Sequence, residues 1–228
     1  MRRRWYGKGG ILCRDATVKI LVQSDFDGTI TEEDTSFFLL DTFAGKDWRR
    51  LLREYREHRL SVVDLNTRAF GMVKADKDTV LESLNSRTKV RDGFGELVEY
   101  CLKRDVRLVI VSNGLDFYIR ATLKGLGLEH IEVYAAQANF RAEGIDVRYV
   151  GPDGSILKDG FKEAYIKSFL EQGYRIVYVG NGDSDVGPAE YADHVFATGE
   201  LLAYCREKQL NCRPLGSFLD VVSVLELL

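Results

Sequence analysis

Gln23-Ser24-Asp25-Phe26-Asp27-Gly28-Thr29-Ile30-Thr31 is the stretch that decides how the rest of this chain reads. The run before it, residues 18–22, is short, apolar and rich in β-branched side chains, the pattern of a fully buried parallel strand. Two carboxylates follow at positions i and i+2, and Gly28 then frees the backbone to turn. Like charges this close need a counter-charge, or one of them takes up a proton. A hard cation answers that need, and Mg²⁺ commonly takes one or two carboxylates together with phosphate oxygens. A polar loop with an aspartate cap is the plainer reading of the doublet taken alone.

Outward from this stretch, three more apolar runs stand out at residues 106–111, 176–179 and 194–197. Stretches of helical period lie between them at 94–104, 161–172 and 200–209. Strands alternating with helices predict a parallel sheet covered on both faces, a doubly wound α/β fold. Residues 31–89 break the alternation: they carry no strand pattern, and 47–58, 62–72 and 77–84 predict helices. Residues 131–156 alternate in β fashion around a Pro152-Asp153-Gly154 turn signal and predict a small antiparallel excursion. The division expected is an arm at 1–16, a core of 17–31 and 90–228, and a helical cap at 32–89.

Open α/β sheets bind ligands beyond the carboxyl ends of their strands, so the chemistry belongs at three strand ends. The first is the Asp25/Asp27 stretch. The second is Val109-Ile110-Val111-Ser112-Asn113-Gly114, whose hydroxyl and backbone N–H groups suit a phosphate oxygen. Ser112 also reads as the N-cap of a helix starting near Asp116, and both roles can hold at once. The third is Tyr178-Val179-Gly180-Asn181-Gly182-Asp183-Ser184-Asp185.

D-x-D-G-T after a strand, then the Ser-Asn-Gly end, then the acidic third end, resemble in that order the motifs of the haloacid-dehalogenase-like phosphatases. The resemblance covers nearly the whole chain after residue 17. It implies that Asp25 attacks phosphorus and ligates Mg²⁺, forming an aspartyl phosphate. Asp27 would protonate the leaving oxygen, later serve as base for water, and ligate the metal through its backbone carbonyl. Ser112, Asn113 and Gly114 would bind phosphate. The family also places a lysine beside the nucleophile. Lys158 and Lys162 compete for that role, and the spacing of Lys162 from the third strand end fits better. Relatives carry G-D-x-x-x-D at that end. Asn181 stands at the first acid's position and Asp185 at the second, with Asp183 as the alternative to Asn181. The inserted helices would form a lid, with Phe37, Phe38 and Phe43 in its core. Asp34 falls where phosphoserine phosphatases have a glutamate that holds the substrate's amino group, and Arg68 is a candidate second anchor.

Val90-Arg91-Asp92-Gly93-Phe94, Gly114-Leu115-Asp116-Phe117-Tyr118 and Tyr191-Ala192-Asp193-His194-Val195-Phe196-Ala197 resemble one branch of that family. It holds the phosphoserine phosphatases and the methionine-salvage enolphosphate phosphatase. The resemblance thus implies a Mg²⁺-dependent phosphomonoester phosphatase acting on a small phosphorylated metabolite. Two alternatives share the same motifs. One is a phosphotransferase or mutase; the other, motivated by Asn181, is a phosphometabolite-binding protein of weakened catalysis.

Composition is ordinary for a soluble globular protein. With 228 residues and a net charge of −3, nothing points to nucleic acid or to an anionic membrane surface. No apolar run approaches the ~18 residues of a membrane span. The basic start, with Arg2, Arg3 and Arg4, lacks the apolar stretch of a signal peptide and reads as an accessory arm. Cys13, Cys101, Cys205 and Cys212 form no C-x-x-C pair, so free thiols and a cytoplasmic location are expected. A monomer or homodimer is the expected assembly.

Overall fold

The computed structural model describes residues 18–85 and 88–228; the expected arm at 1–16 lies outside the described residues. The strands are β1 (Lys19–Ser24), β2 (Arg107–Leu115), β3 (Glu132–Arg141), β4 (Gly144–Arg148), β5 (Tyr174–Gly180), β6 (His194–Ala197) and β7 (Cys212–Pro214). They form one sheet in the order β4-β3-β2-β1-β5-β6-β7, parallel throughout except for β3 against β4. The four apolar runs are the central strands of this sheet. Leu21, Val22, Val109, Ile110, Val111, Ile176 and Val179 are all wholly buried, as strands covered on both faces must be.

Helices α1 (Thr35–Phe43), α2 (Trp48–Arg56), α3 (Val62–Phe70) and α4 (Lys77–Asn85) fill the interval between β1 and the next sheet helix, α5 (Phe94–Arg104). Three of the four were expected. α1 was not, because its apolar side chains do not settle into one stripe. Its start is fixed by Asp34, whose Oδ1 accepts from the Phe37 N–H at 2.8 Å. Leu39, Leu40, Trp48, Leu51, Leu65, Phe70 and Val80 bury the inner faces of these helices in the same core as the sheet. Phe38 and Phe43 pack half-buried against it. The remaining helices are α6 (Asp116–Gly125), α7 (Phe161–Glu171), α8 (Val186–Ala189), α9 (Gly199–Glu207) and α10 (Phe218–Leu225).

Two local expectations need correction. The segment 131–156 is not wholly antiparallel. The first half of β3 pairs in parallel with β2, and only residues 137–141 pair antiparallel with β4. The Pro152-Asp153-Gly154 turn closes a small Val150–Ile156 bridge instead of the β3–β4 hairpin. Nor does Ser112 cap a helix. β2 runs on to Leu115, no side chain caps α6, and Ser112 Oγ accepts from the Gly114 N–H at 3.0 Å. Cys101 and Cys205 are buried free thiols and Cys212 is a half-buried one.

Candidate active site

Register sets the site. Ser24 lies opposite both Ile110 and Val179, so Asp25 leaves β1 beside Val111 and Ser112 of β2 and the end of β5. The Asp25 N–H still donates to the Val179 carbonyl at 2.9 Å, so the sheet ladder itself holds the first residue beyond β1. The chain then turns sharply. Gly28 has φ +73°, and a Cβ there would collide with the Asn181 amide. Arg91 braces the turn, donating to the carbonyls of Thr29 (2.8 Å) and Gly28 (3.1 Å).

Asp25, Asp27, Ser112, Asn113, Gly114, Lys162 and Asn181 line one cavity of about 310 Å³ at these strand tips. The inserted helices face it with Asp34, Ser36, Phe37, Leu52, Tyr55, Arg56, Val62, Leu65 and Asn66.

Of the two competing lysines, Lys162 reaches the site. It sits on the buried stripe of α7, one turn before Ile166 and two before Phe169, and is 2% exposed. Lys158 precedes the helix, is exposed, and uses its backbone carbonyl to accept from Ser61 Oγ at 3.1 Å. Lys162 Nζ lies 2.8 Å from Asp25 Oδ1 and 2.6 Å from Asp185 Oδ1. Burial alone would lower the lysine's pKa, but the two carboxylates outweigh it and hold the ammonium charged. Burial pushes the Asp25 carboxyl up to about 7 against the pull of Lys162. Burial also raises Asp27, against hydrogen bonds from Tyr118, Thr35 and Ser36.

Asp185 is placed differently from the expectation. It is wholly buried, does not line the cavity, and both its oxygens are taken. Oδ1 accepts from Lys162 and from the Tyr178 hydroxyl, each at 2.6 Å; Oδ2 accepts from the N–H groups of Asn181 and Gly182, each at 2.9 Å. Burial pushes this carboxyl up, yet those four donors, Lys162 first, hold it below the usual range. It orients the lysine and the 181–182 turn. Asp183 lines the cavity, and its carboxylate meets the Tyr55 hydroxyl.

Asp34 lines the cavity, half-buried, with burial and then the charge of Asp27 raising its carboxyl to about 8. Arg68 does not reach it. α3 points Val62, Leu65 and Asn66 inward, and a residue two beyond Asn66 falls on the opposite, exposed face. Phe37 packs half-buried against the helical core as expected, with its ring 5.3 Å from Trp48, and also lines the cavity. Four contributors were missed from sequence. Asn66 Nδ2 donates to the Asn113 carbonyl at 2.9 Å. Tyr178 holds Asp185. Ser36 and Tyr118 hold Asp27 Oδ2, Ser36 at 3.2 Å and the tyrosine by a short hydrogen bond. Hydroxyls on helices carry no signal at the level of pattern, because only the packing says which carboxylate they meet.

A sheet of this order, with paired carboxylates and a buried lysine at its carboxyl edge, defines a protein of the Rossmann-like α/β class. The sequence model of the haloacid dehalogenase-like hydrolase family matches residues 22–190. The chain belongs to that family. It is 30% identical to a 2-hydroxy-3-keto-5-methylthiopentenyl-1-phosphate phosphatase of Geobacillus thermodenitrificans, over 91% of this chain and 96% of that one. The like-named protein of Geobacillus kaustophilus is 29% identical over 92% and 97%. Among solved structures, a phospho-aspartyl intermediate analogue of phosphoserine phosphatase superposes with TM-score 0.68 at 18% identity, covering 91% of this chain and 99% of that one. That last likeness is one of fold.

Proposed function

We propose that this hydrolase is a Mg²⁺-dependent phosphomonoester phosphatase that acts on a small phosphorylated metabolite through an aspartyl phosphate. The observation that carries the reading is Lys162, a buried ammonium that pairs with Asp25 in a cavity also lined by Ser112. Asp25 attacks phosphorus. Ser112, the Asn113–Gly114 turn and Lys162 hold the phosphoryl oxygens in line and offset their charge. Asp27 gives a proton to the departing alcohol and takes one from the water that frees phosphate. The cavity's donors suit a hard cation, being oxygens of Asp25 and Asn181, but Asn181 supplies a neutral amide oxygen that also accepts from Thr29 Oγ1 at 3.2 Å. Mg²⁺ held by Asp25, the Asp27 backbone carbonyl and Asn181 would neutralise phosphate charge. Residues 32–89 act as the lid that excludes water.

The lid's wall favours one kind of leaving group. Phe37, Leu52, Val62 and Leu65 are apolar, while the cation among the lid's cavity-lining residues, Arg56, is exposed and already 3.4 Å from Glu200. A substrate with an apolar tail, such as the methylthio compound for which the relatives are named, suits this wall better than phosphoserine. Phosphate release from a panel holding both, with and without Mg²⁺, tests the reading. Asp25→Asn should lose all turnover while keeping the wild-type melting temperature within a few degrees. Retained activity in that variant would overturn the proposal.

A further inference from the structure

The two oxygens of Asp27 sit in different surroundings. Oδ2 accepts from Tyr118 on α6 and from Ser36 on α1, and those two hydroxyls are themselves 2.7 Å apart. Oδ1 is buried and makes no hydrogen bond among the described residues, although the Thr35 hydroxyl also lies close enough to the carboxyl to favour its charged form and Asp27 lines the cavity. The packing allows this arrangement only with glycine at 114, where a Cβ would strike both the Tyr118 hydroxyl and Asp27 Oδ2. Tyr118 is itself fixed, 1% exposed, with its ring 5.5 Å from Phe117 and 6.2 Å from Phe26.

A carboxyl that must pass a proton to a leaving oxygen gains from having one oxygen immobilised and the other free to face the ester. We infer that Tyr118 and Ser36 are positioning residues for proton transfer, holding Asp27 by Oδ2 so that Oδ1 faces the leaving group. The inference rests on the phosphatase reading. It adds that one of the two hydroxyls comes from an inserted helix and the other from a sheet helix. The acid is therefore fully aligned only when α1 lies over the strand tips.

The test is the dependence of kcat/KM on the leaving group, since kcat/KM reports the step in which the alcohol departs. Aryl monoesters from p-nitrophenyl phosphate to phenyl phosphate span little to strong need for protonation. Tyr118→Phe should lose about tenfold or more on phenyl phosphate and under about threefold on p-nitrophenyl phosphate. Ser36→Ala should shift the series the same way by less, and it carries the test alone if the tyrosine variant does not fold. Added to Asp27→Asn, Tyr118→Phe should cost nothing further on phenyl phosphate, because it acts through Asp27. Equal losses across the series, or losses that add to that of Asp27→Asn, would overturn the inference while leaving the phosphatase reading intact. A wild-type protein that turned over no monoester would overturn both.

Discussion

Lys162 has a cost and a return that can be weighed. An ammonium buried this deeply would be strongly destabilising alone, and so would Asp25 and Asp185 without it. Together the three form a net-negative cluster in which one cation serves two carboxylates at 2.8 and 2.6 Å. Removing the cation strips both buried carboxyls of their shared counter-charge. Lys162→Met should therefore abolish phosphate release and also lower unfolding free energy by about 3–5 kcal/mol, read from denaturant titration. Lys158→Met, on an exposed side chain outside the cavity, should change neither measurably. A stable but inactive Lys162→Met protein would mean that the carboxylates find other partners or take up protons at little cost.

At the scale of elements, the inserted helices are tied to the sheet by a few polar contacts whose weights differ. Arg56 and Glu200 form an exposed pair 3.4 Å apart, and such pairs contribute roughly 0–1 kcal/mol. Ser61 does more. It accepts from the Asp64 N–H at 3.0 Å as the N-cap of α3, and its hydroxyl reaches the Lys158 carbonyl before α7. Ser61→Ala should cost about 1 kcal/mol in a denaturant midpoint, whereas Arg56→Ala should fall within about 0.5 kcal/mol of wild type. How far elements could be read in advance follows from their patterns. β1, β2, β5 and β6 are apolar runs bounded by polar residues, and α5 and α7 show helical period. α1, β7 and α10 lacked a legible signal. Cys212–Pro214 is too short to have a period, and α10 carries apolar residues beyond the face that Phe218, Val221, Val224 and Leu225 bury, Leu219 being exposed, which blurs its stripe.

Over the whole molecule, the site draws several carboxyls into one low-dielectric region, and the proton balance of folding changes with it. Asp34 shows the sign. Unfolded, its carboxyl ionises near 3.8; folded, burial and the charge of Asp27 hold its proton up to about 8. Between those values the folded state binds more protons than the unfolded one, so this group's contribution to stability falls as pH rises. Asn can replace it as the N-cap without titrating. Melting curves without divalent cations should show Asp34→Asn gaining on wild type from pH 4 to pH 8. The opposite trend would mean that Asp34 is ionised in the folded protein. The same convergence answers why Asp27 and Tyr118, 91 residues apart, share a hydrogen bond.

What the sequence determined by itself was the class of fold, the family, and the residues at the strand tips. Those rest on local order along the chain: a buried strand, then a turn, then the groups that the turn exposes. Asp25, Asp27 and Ser112 were legible for that reason, whereas Lys162, on α7, was set apart from Lys158 only by the spacing that the resemblance implies. What only the tertiary structure decided was which side chains face each other across the cavity. It turned Arg68 outward and Asn66 inward, sealed Asp185 behind Lys162, and set Tyr118 and Ser36 on Asp27. Those outcomes depend on how helices distant in sequence are rotated and packed, and neither periodicity nor spacing encodes that rotation.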